Sequence, residues 1–272
     1  MDENEVKIKR SVREEYGKVA KKKSTRNSAD MPCCGSSPKP VLESQAIGYS
    51  VNDIQTVPEE SNLGLGCGNP LGLASIREGN VVLDLGSGGG FDCFLAAKKV
   101  GPTGKVIGVD MTPEMIEKAR QNAQKGHYDN VEFRLGEIEH LPAADNSADL
   151  IISNCVVNLV PNKAQGFREV YRVLKPGGHM IISDLVLTKE LPEFMRKAAG
   201  MYMGGLATAI LKDQYLETMK QAGLQDIVVQ KESTIPVEFV TDKGFAKGVP
   251  RNLIEQFTSA VLDVTVSAGK PL

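Results

Sequence analysis

The 272-residue sequence has no Trp, and aromatic side chains make up only 5% of it. Platforms that stack the bases of single strands depend on such rings, so that class is disfavoured. No charge of one sign prevails: 32 Lys and Arg stand against 34 Asp and Glu, a net charge of -2. General nucleic-acid binding wants a basic surface, and this balance does not provide it. No apolar run approaches the roughly 18 residues of a membrane span. The opening stretch MDENEVKIKR is charged and lacks the apolar centre of a secretion signal, so a cytoplasmic location is expected. Cysteines are few: Cys33, Cys34, Cys67, Cys93 and Cys155. Their odd number and irregular spacing argue against a disulfide scaffold, and in a reducing compartment they are free thiols. Neither a C-x-x-C pair nor the Cys/His spacing of a zinc site is present.

What remains is ordinary globular material, 41% hydrophobic and 24% charged. Residues 3–23 are Lys- and Glu-rich and read as a helix, with the solvated run KKK at its end. Residues 24–40 form a loop by composition and carry Cys33 and Cys34. Residues 41–56 are weakly helical. SNLGLGCGNP, residues 61–70, is a tight glycine-rich loop expected to expose Cys67. From residue 80 short apolar runs alternate with helix patterns: VVLDL, KVIGVD, VEFRL, ADLIIS and HMIISDLVL are strands. Thr112, Pro113 and Glu114 form a strong helix start. NKAQGFREVYRVLKPGG reads as a helix stopped by Pro-Gly. Strands alternating with helices specify a doubly wound, mostly parallel α/β sheet with helices on both faces. After residue 188 the pattern loosens into helices and two strands, expected to form a C-terminal α+β cap or subdomain. The expected division is 1–60 (N-terminal helical segment), 61–187 (main domain) and 188–272 (C-terminal subdomain).

Ligands of open α/β sheets bind beyond the carboxyl ends of the strands. VVLDLGSGGGFD supplies such a strand and its turn, with Gly86 and Gly88 allowing close backbone approach. The third glycine of a G-x-G-x-x-G dinucleotide loop is replaced by Phe91. Asp84 stands two residues before the first glycine, and Asp110 ends the next strand, where a carboxylate can accept ribose hydroxyls. LDLGSGGG, VIGVDMTPEM and LKPGGHMIISD, in this order over about residues 70–187, resemble class I S-adenosylmethionine-dependent methyltransferases. The resemblance implies a Rossmann-like methyltransferase fold. It also implies that Asp84, Gly86 and Gly88 hold the methionine end of the cofactor and Asp110 its ribose. Met111 would pack on the adenine, with Glu137 and Ile138 at its edge.

The residues past the fourth strand face the transferring methyl in that family, which places Cys155 there. GLGCGNP, SNCVVNL, EEYGKVA and GGGFDCFLAAKKVGPTGKVIGVDMTPEMI resemble the arsenite methyltransferases over most of the chain. Trivalent arsenic is soft and prefers thiolates, which implies Cys67 and Cys155 as its ligands, with lowered thiol pKa values. Arsenic keeps a lone pair, so no general base is needed, in keeping with only 3 His. Cys93 reads as a small buried hydrophobe. Asn154 and Asn158 are candidates to support the cofactor or shape the pocket. Where the family usually has a third cysteine, this chain has Gly204 and Gly205. Three sources stay open: Cys33 or Cys34 swings in, a small thiol supplies the sulfur, or the substrate is already methylated and needs two thiolates. A thiol reductant, glutathione or a thioredoxin-type protein, is implied for turnover. Two rival readings are a methyltransferase of a small organic carbon or oxygen acceptor, such as a quinone precursor, and a non-catalytic soft-metal-binding thiol protein.

Overall fold

The computed structural model describes residues 3–21, 39–191, 208–235, 254–255 and 258–272. Cys33, Cys34, Gly204 and Gly205 lie outside the described residues. Helix α1 spans Glu3–Lys21, with acids in its first turn and Lys18 and Lys21 in its last, complementing the helix dipole. The weak helix expected over 41–56 is two helices, α2 (Lys39–Ala46) and α3 (Val51–Gln55). Gly48, at φ 105°, breaks the chain between them, and a reciprocal Ser50–Asp53 capping box starts the second.

The main sheet contains β1 (Val81–Leu85), β2 (Lys105–Asp110), β3 (Val131–Leu135), β4 (Ala148–Asn154) and β5 (Leu174–Leu187), all parallel. Between them run α4 (Phe91–Val100), α5 (Pro113–Gly126) and α6 (Lys163–Val173). Alternate residues of β1 feed two cores. Leu83 and Leu85 pack with Phe167 and Val170 of α6 on one face. Val82 packs with Phe94 of α4 and Ile116 and Ala119 of α5 on the other. Each such side chain, fully buried, contributes on the order of 1.5–3 kcal/mol. The expected helix through LKPGG ends earlier, at Val173, and Leu174 is already strand. Pro176 disfavours helical backbone at Lys175 before it, which turns the chain into β5.

The C-terminal segment also departs from expectation. Helix α7 (Lys212–Gln221) leads to β6 (Gln225–Thr234), and β7 (Val261–Gly269) follows later. Both strands join the one seven-stranded sheet, in the order β3-β2-β1-β4-β5-β7-β6. β7 inserts antiparallel between β5 and β6, pairing from His179↔Gly269 to Leu187↔Val261. The reason lies in its residues: nearly every side chain of β7 is buried, as suits an interior strand and not a solvated cap. The described C-terminal strands thus extend the sheet instead of standing beside it. No helix among the described residues is long and apolar enough to cross a membrane.

Candidate active site

The strand order reverses between β1 and β4, and a crevice opens there beyond their carboxyl ends. Its free volume, open mouth included, is about 1150 Å³. The turn after β1 forms one wall. Gly86 has φ 70°, and a Cβ on it would fall 2.4 Å from Val156, so only glycine fits. The N–H groups of Gly86 and Ser87 donate to the Val109 carbonyl at 2.7 and 3.0 Å, closing the turn against β2. Asp110, at the end of β2, accepts the Gly88 N–H at 3.0 Å and the Thr112 N–H at 2.8 Å.

Four carboxylates line this crevice: Glu139, which is paired with Lys9 of α1 at 2.9 Å, and Asp84, Asp92 and Asp110, which have no such partner. Burial pushes Asp84 well up, and neighbouring Asp92 adds to it. Burial pushes Asp92 to about 6, against hydrogen bonds from Tyr49 and Asn154. Asp110 is raised by burial and held back by its backbone donors. The donors to Asp84, Asp92 and Asp110 are thiol, hydroxyl, amide and backbone N–H groups; none is a cation. A cationic ligand fits beside Asp84, Asp92 and Asp110, because Lys9, the cation in the lining, is paired with Glu137 and Glu139 and not with these three.

A second site adjoins the first. Residues 61–70 lie over the ends of β4 and β5, and Gly68 approaches so closely that a Cβ would meet Ser183 Oγ at 2.6 Å. Asn154 secures the loop: its Oδ1 accepts the N–H of Cys67 at 3.1 Å and of Gly68 at 3.2 Å, and its Nδ2 donates to the Gly68 carbonyl at 2.7 Å. Cys67 is therefore only 6% exposed. The next residue of β4's exit, Cys155, is half-buried and lines the crevice. It holds φ 63°, a left-handed conformation that a residue with a side chain rarely adopts and that costs on the order of 1–3 kcal/mol. Its N–H donates to the Ser183 carbonyl at 2.7 Å. The Cys155 thiol bears on that of Cys67 and raises its pKa. Two thiols have been brought together from positions 88 residues apart (155 − 67) at the edge of a crevice suited to a cation.

Residues 76–223, more than half of the chain, match the family model described as a methyltransferase domain. An arsenite methyltransferase of Halobacterium salinarum is 47% identical over 90% of this chain and 60% of its own length. One from Aquipseudomonas alcaligenes is 36% identical over 87% of this chain and 67% of its own. The crystal structure of an arsenic(III) S-adenosylmethionine methyltransferase from Chlamydomonas reinhardtii superposes with a TM-score of 0.66. It is 33% identical, and the match covers 87% of this chain and 75% of that one. The chain belongs to the arsenite methyltransferase family. It spans 60% and 67% of the length of these two curated relatives.

Within this family frame, the structure sorts the residues expected from sequence. Asp84, Gly86, Gly88, Asp110, Met111, Ile138, Asn154 and Cys155 all line the one crevice. Glu137 does not. It is drawn outward to α1, where Lys9 Nζ and Arg13 Nη2 bond it at 2.8 and 2.9 Å, and Glu139 lines the crevice in its neighbourhood. Cys67 is buried where an exposed turn was expected, because Asn154 folds its loop onto the sheet. Its thiol is also not acidified: burial, then the neighbouring Cys155 thiol, pushes its pKa well above the ordinary thiol value. Cys93 is fully buried as expected, and it also donates to Asp84 Oδ2 at 3.2 Å. Among the described residues no group of three or more His, Cys, Asp or Glu is arranged to hold a metal ion.

Several site residues went unread in the sequence. Asp92 directly follows the glycine turn in GGGFDCF, a signal that was available. Tyr49, which donates to Asp92 at 2.6 Å, carries no local signature, and Tyr16 of α1, which lines the crevice, stands within EEYGKVA without a role read from it. Asp263 interrupts the apolar run AVLDVTV and lies under the loop that carries Cys67.

Proposed function

We propose that the protein transfers a methyl group from S-adenosylmethionine to trivalent arsenic, arsenite or methylarsenite, held by Cys67 and Cys155. The observation that carries this reading is the paired thiols at the edge of the acid-lined crevice. In that reading Asp84 and the Gly86–Gly88 turn take the methionine end of the cofactor, and Asp110 the ribose hydroxyls. Met111 and Ile138 flank the adenine. Asp92 adds negative charge close to the sulfonium. When bound, S-adenosylmethionine supplies an electrophilic methyl group to the arsenic lone pair.

The chain's own contribution is placement. Each thiol exchanges for one hydroxyl of arsenic: an As–S bond forms, an As–O bond breaks, and the thiol proton leaves with the hydroxide as water. No net proton is released, so the raised pKa of Cys67 does not oppose binding. No group has to remove a proton during transfer either, which fits a crevice whose described lining contains no His. The gain is one of proximity and orientation, with the strained Cys155 backbone fixing one sulfur and Asn154 the other. A thiol reductant, glutathione or a thioredoxin-type protein, completes turnover by returning arsenic to its trivalent state as two thiols become a disulfide. The third sulfur comes from the Cys33–Cys34 pair or a small thiol, or is not needed.

The test is incubation of the purified chain with S-adenosylmethionine, glutathione and arsenite or methylarsenite, with arsenic species separated chromatographically. Methylated arsenic is the expected product. Cofactor binding without product from either arsenical, but with methylation of a small organic acceptor, would replace this reading.

A further inference from the structure

Beneath the thiol pair lies a carboxyl group that the proposed chemistry does not use. Asp263 sits on β7 opposite Leu185 of β5, and its neighbour but one, Thr265, shares a 2.9 Å hydrogen bond with Ser183. It is only 9% exposed, and its Oδ1 is fully buried with no hydrogen-bond partner among the described residues. That atom lies 3.8 Å from where a Cβ on Gly68 would stand, so it lies under the loop that carries Cys67. The Cys67 thiol bears on the same carboxyl group. Lys231 of β6 is the cation that acts on it from the sheet, without an ion pair between them.

A buried acceptor left unpaired costs about 1–3 kcal/mol, more when charged, and calls for an explanation. The site grows worse as arsenic binds. Cys67 gives up its proton on forming the As–S bond, so its sulfur has no proton to offer Asp263. The incoming ligand has to bring a replacement.

We infer that Asp263 determines substrate specificity: its Oδ1 accepts a hydrogen bond from the hydroxyl that arsenic keeps after ligation by Cys67 and Cys155. This rests on the arsenic reading above. Arsenite has three hydroxyls. Two leave as water when the thiols bind, and the third remains as a donor. Methylarsenite has two hydroxyls, loses both to the thiols, and presents a methyl group where that donor would be. The two bound substrates thus differ at one position, and Asp263 is the group that reads it. Of the three possibilities for a third sulfur, this takes the one in which none is needed, so that arsenite keeps one hydroxyl. Asp263 favours arsenite over methylarsenite and so disfavours a second methylation.

The test measures binding apart from turnover. The reduced full chain, with Asp263→Leu and Asp263→Asn, is titrated with arsenite and with methylarsenite, following the thiolate-to-arsenic absorbance. Asp263→Leu removes the acceptor at similar volume; Asp263→Asn keeps shape and a weaker acceptor should the leucine variant fail to fold. Arsenite affinity is expected to fall about tenfold or more in Asp263→Leu, the scale of one hydrogen bond to a charged group. Methylarsenite affinity is expected to hold or rise, and Asp263→Asn to shift the ratio less, in the same direction. An unchanged ratio in the folded variants, or an equal fall for both arsenicals, would overturn the inference and leave the arsenic reading intact. A wild-type chain that binds neither arsenical overturns both. A ratio that shifts as expected in a chain yielding no methylated product supports the inference while sinking the catalytic reading.

Discussion

The side-chain oxygen of Asn154 accepts the backbone N–H of Cys67 at 3.1 Å, across 87 residues of sequence. One amide at the end of β4 thereby fixes the loop that carries one thiol, directly before the residue that carries the other. Replacing it with alanine strands the Cys67 and Gly68 N–H groups and frees the loop. Asn154→Ala is expected to lose about 1–3 kcal/mol of stability and to weaken arsenical binding more than cofactor binding. Denaturant unfolding and paired titrations check this; equal losses for both ligands would contradict it.

The five cysteines are not equivalent. Cys93 is buried beneath the glycine turn and donates to Asp84, remote in role from the thiol pair. Cys93→Ala is expected to leave the number of arsenic-bound sulfurs unchanged while costing about 1–3 kcal/mol of stability through a small cavity and a lost donor. Sulfur counting by arsenic-edge X-ray absorption separates this from Cys67→Ser, which should lose one sulfur.

The acid-lined crevice has a pH signature. Burial raises Asp92 from 3.8 to about 6. The folded state then holds this proton more tightly than the unfolded chain, so its contribution to stability is full below pH 3.8. It is lost as pH rises through about 6. A bound cation offsets the ionised carboxylate. Melting temperatures of the ligand-free protein should therefore fall across this window through Asp92, and saturating S-adenosylmethionine should flatten the fall. Asp92→Asn should flatten it without ligand. A profile identical in wild type and Asp92→Asn would contradict the assignment.

Much of this was legible in the sequence. β1 to β5 are short apolar runs, and the helices between them carry strong start signals such as Thr112-Pro113. Asp84, Gly86 and Asp110 fall where strand-end chemistry requires, and the crevice gathers them. What was not legible depends on long-range closure. Nothing local in GLGCGNP says that Asn154 will bury Cys67, and the spacing of Glu137 does not reveal the basic side chains of α1 that draw it away. The place of β7 follows from the free edge of β5, a property of the assembled sheet and not of AVLDVTV alone.

The first helix closes the crevice through ions. Lys9, itself nearly buried, pairs with Glu137 at 2.8 Å and with buried Glu139 at 2.9 Å. Removing one member of a buried pair costs about 3–5 kcal/mol. Lys9→Met is expected to lower stability by the larger part of that and to weaken S-adenosylmethionine binding, because α1 carries Val12 and Tyr16 into the lining. Arg13→Met, which removes only the more exposed partner of Glu137, should cost within about 1 kcal/mol. Thermal unfolding and cofactor titration of the two variants give the comparison.

The measurement that bears most directly on the account is methyl transfer to arsenite by the wild-type chain beside Cys67→Ser, Cys155→Ser and Cys33→Ser/Cys34→Ser, each with S-adenosylmethionine affinity measured in parallel. The account predicts that product disappears in the first two variants while the cofactor still binds, and the N-terminal variant then reports where any third sulfur arises. Undiminished arsenic methylation in Cys67→Ser or Cys155→Ser would contradict it.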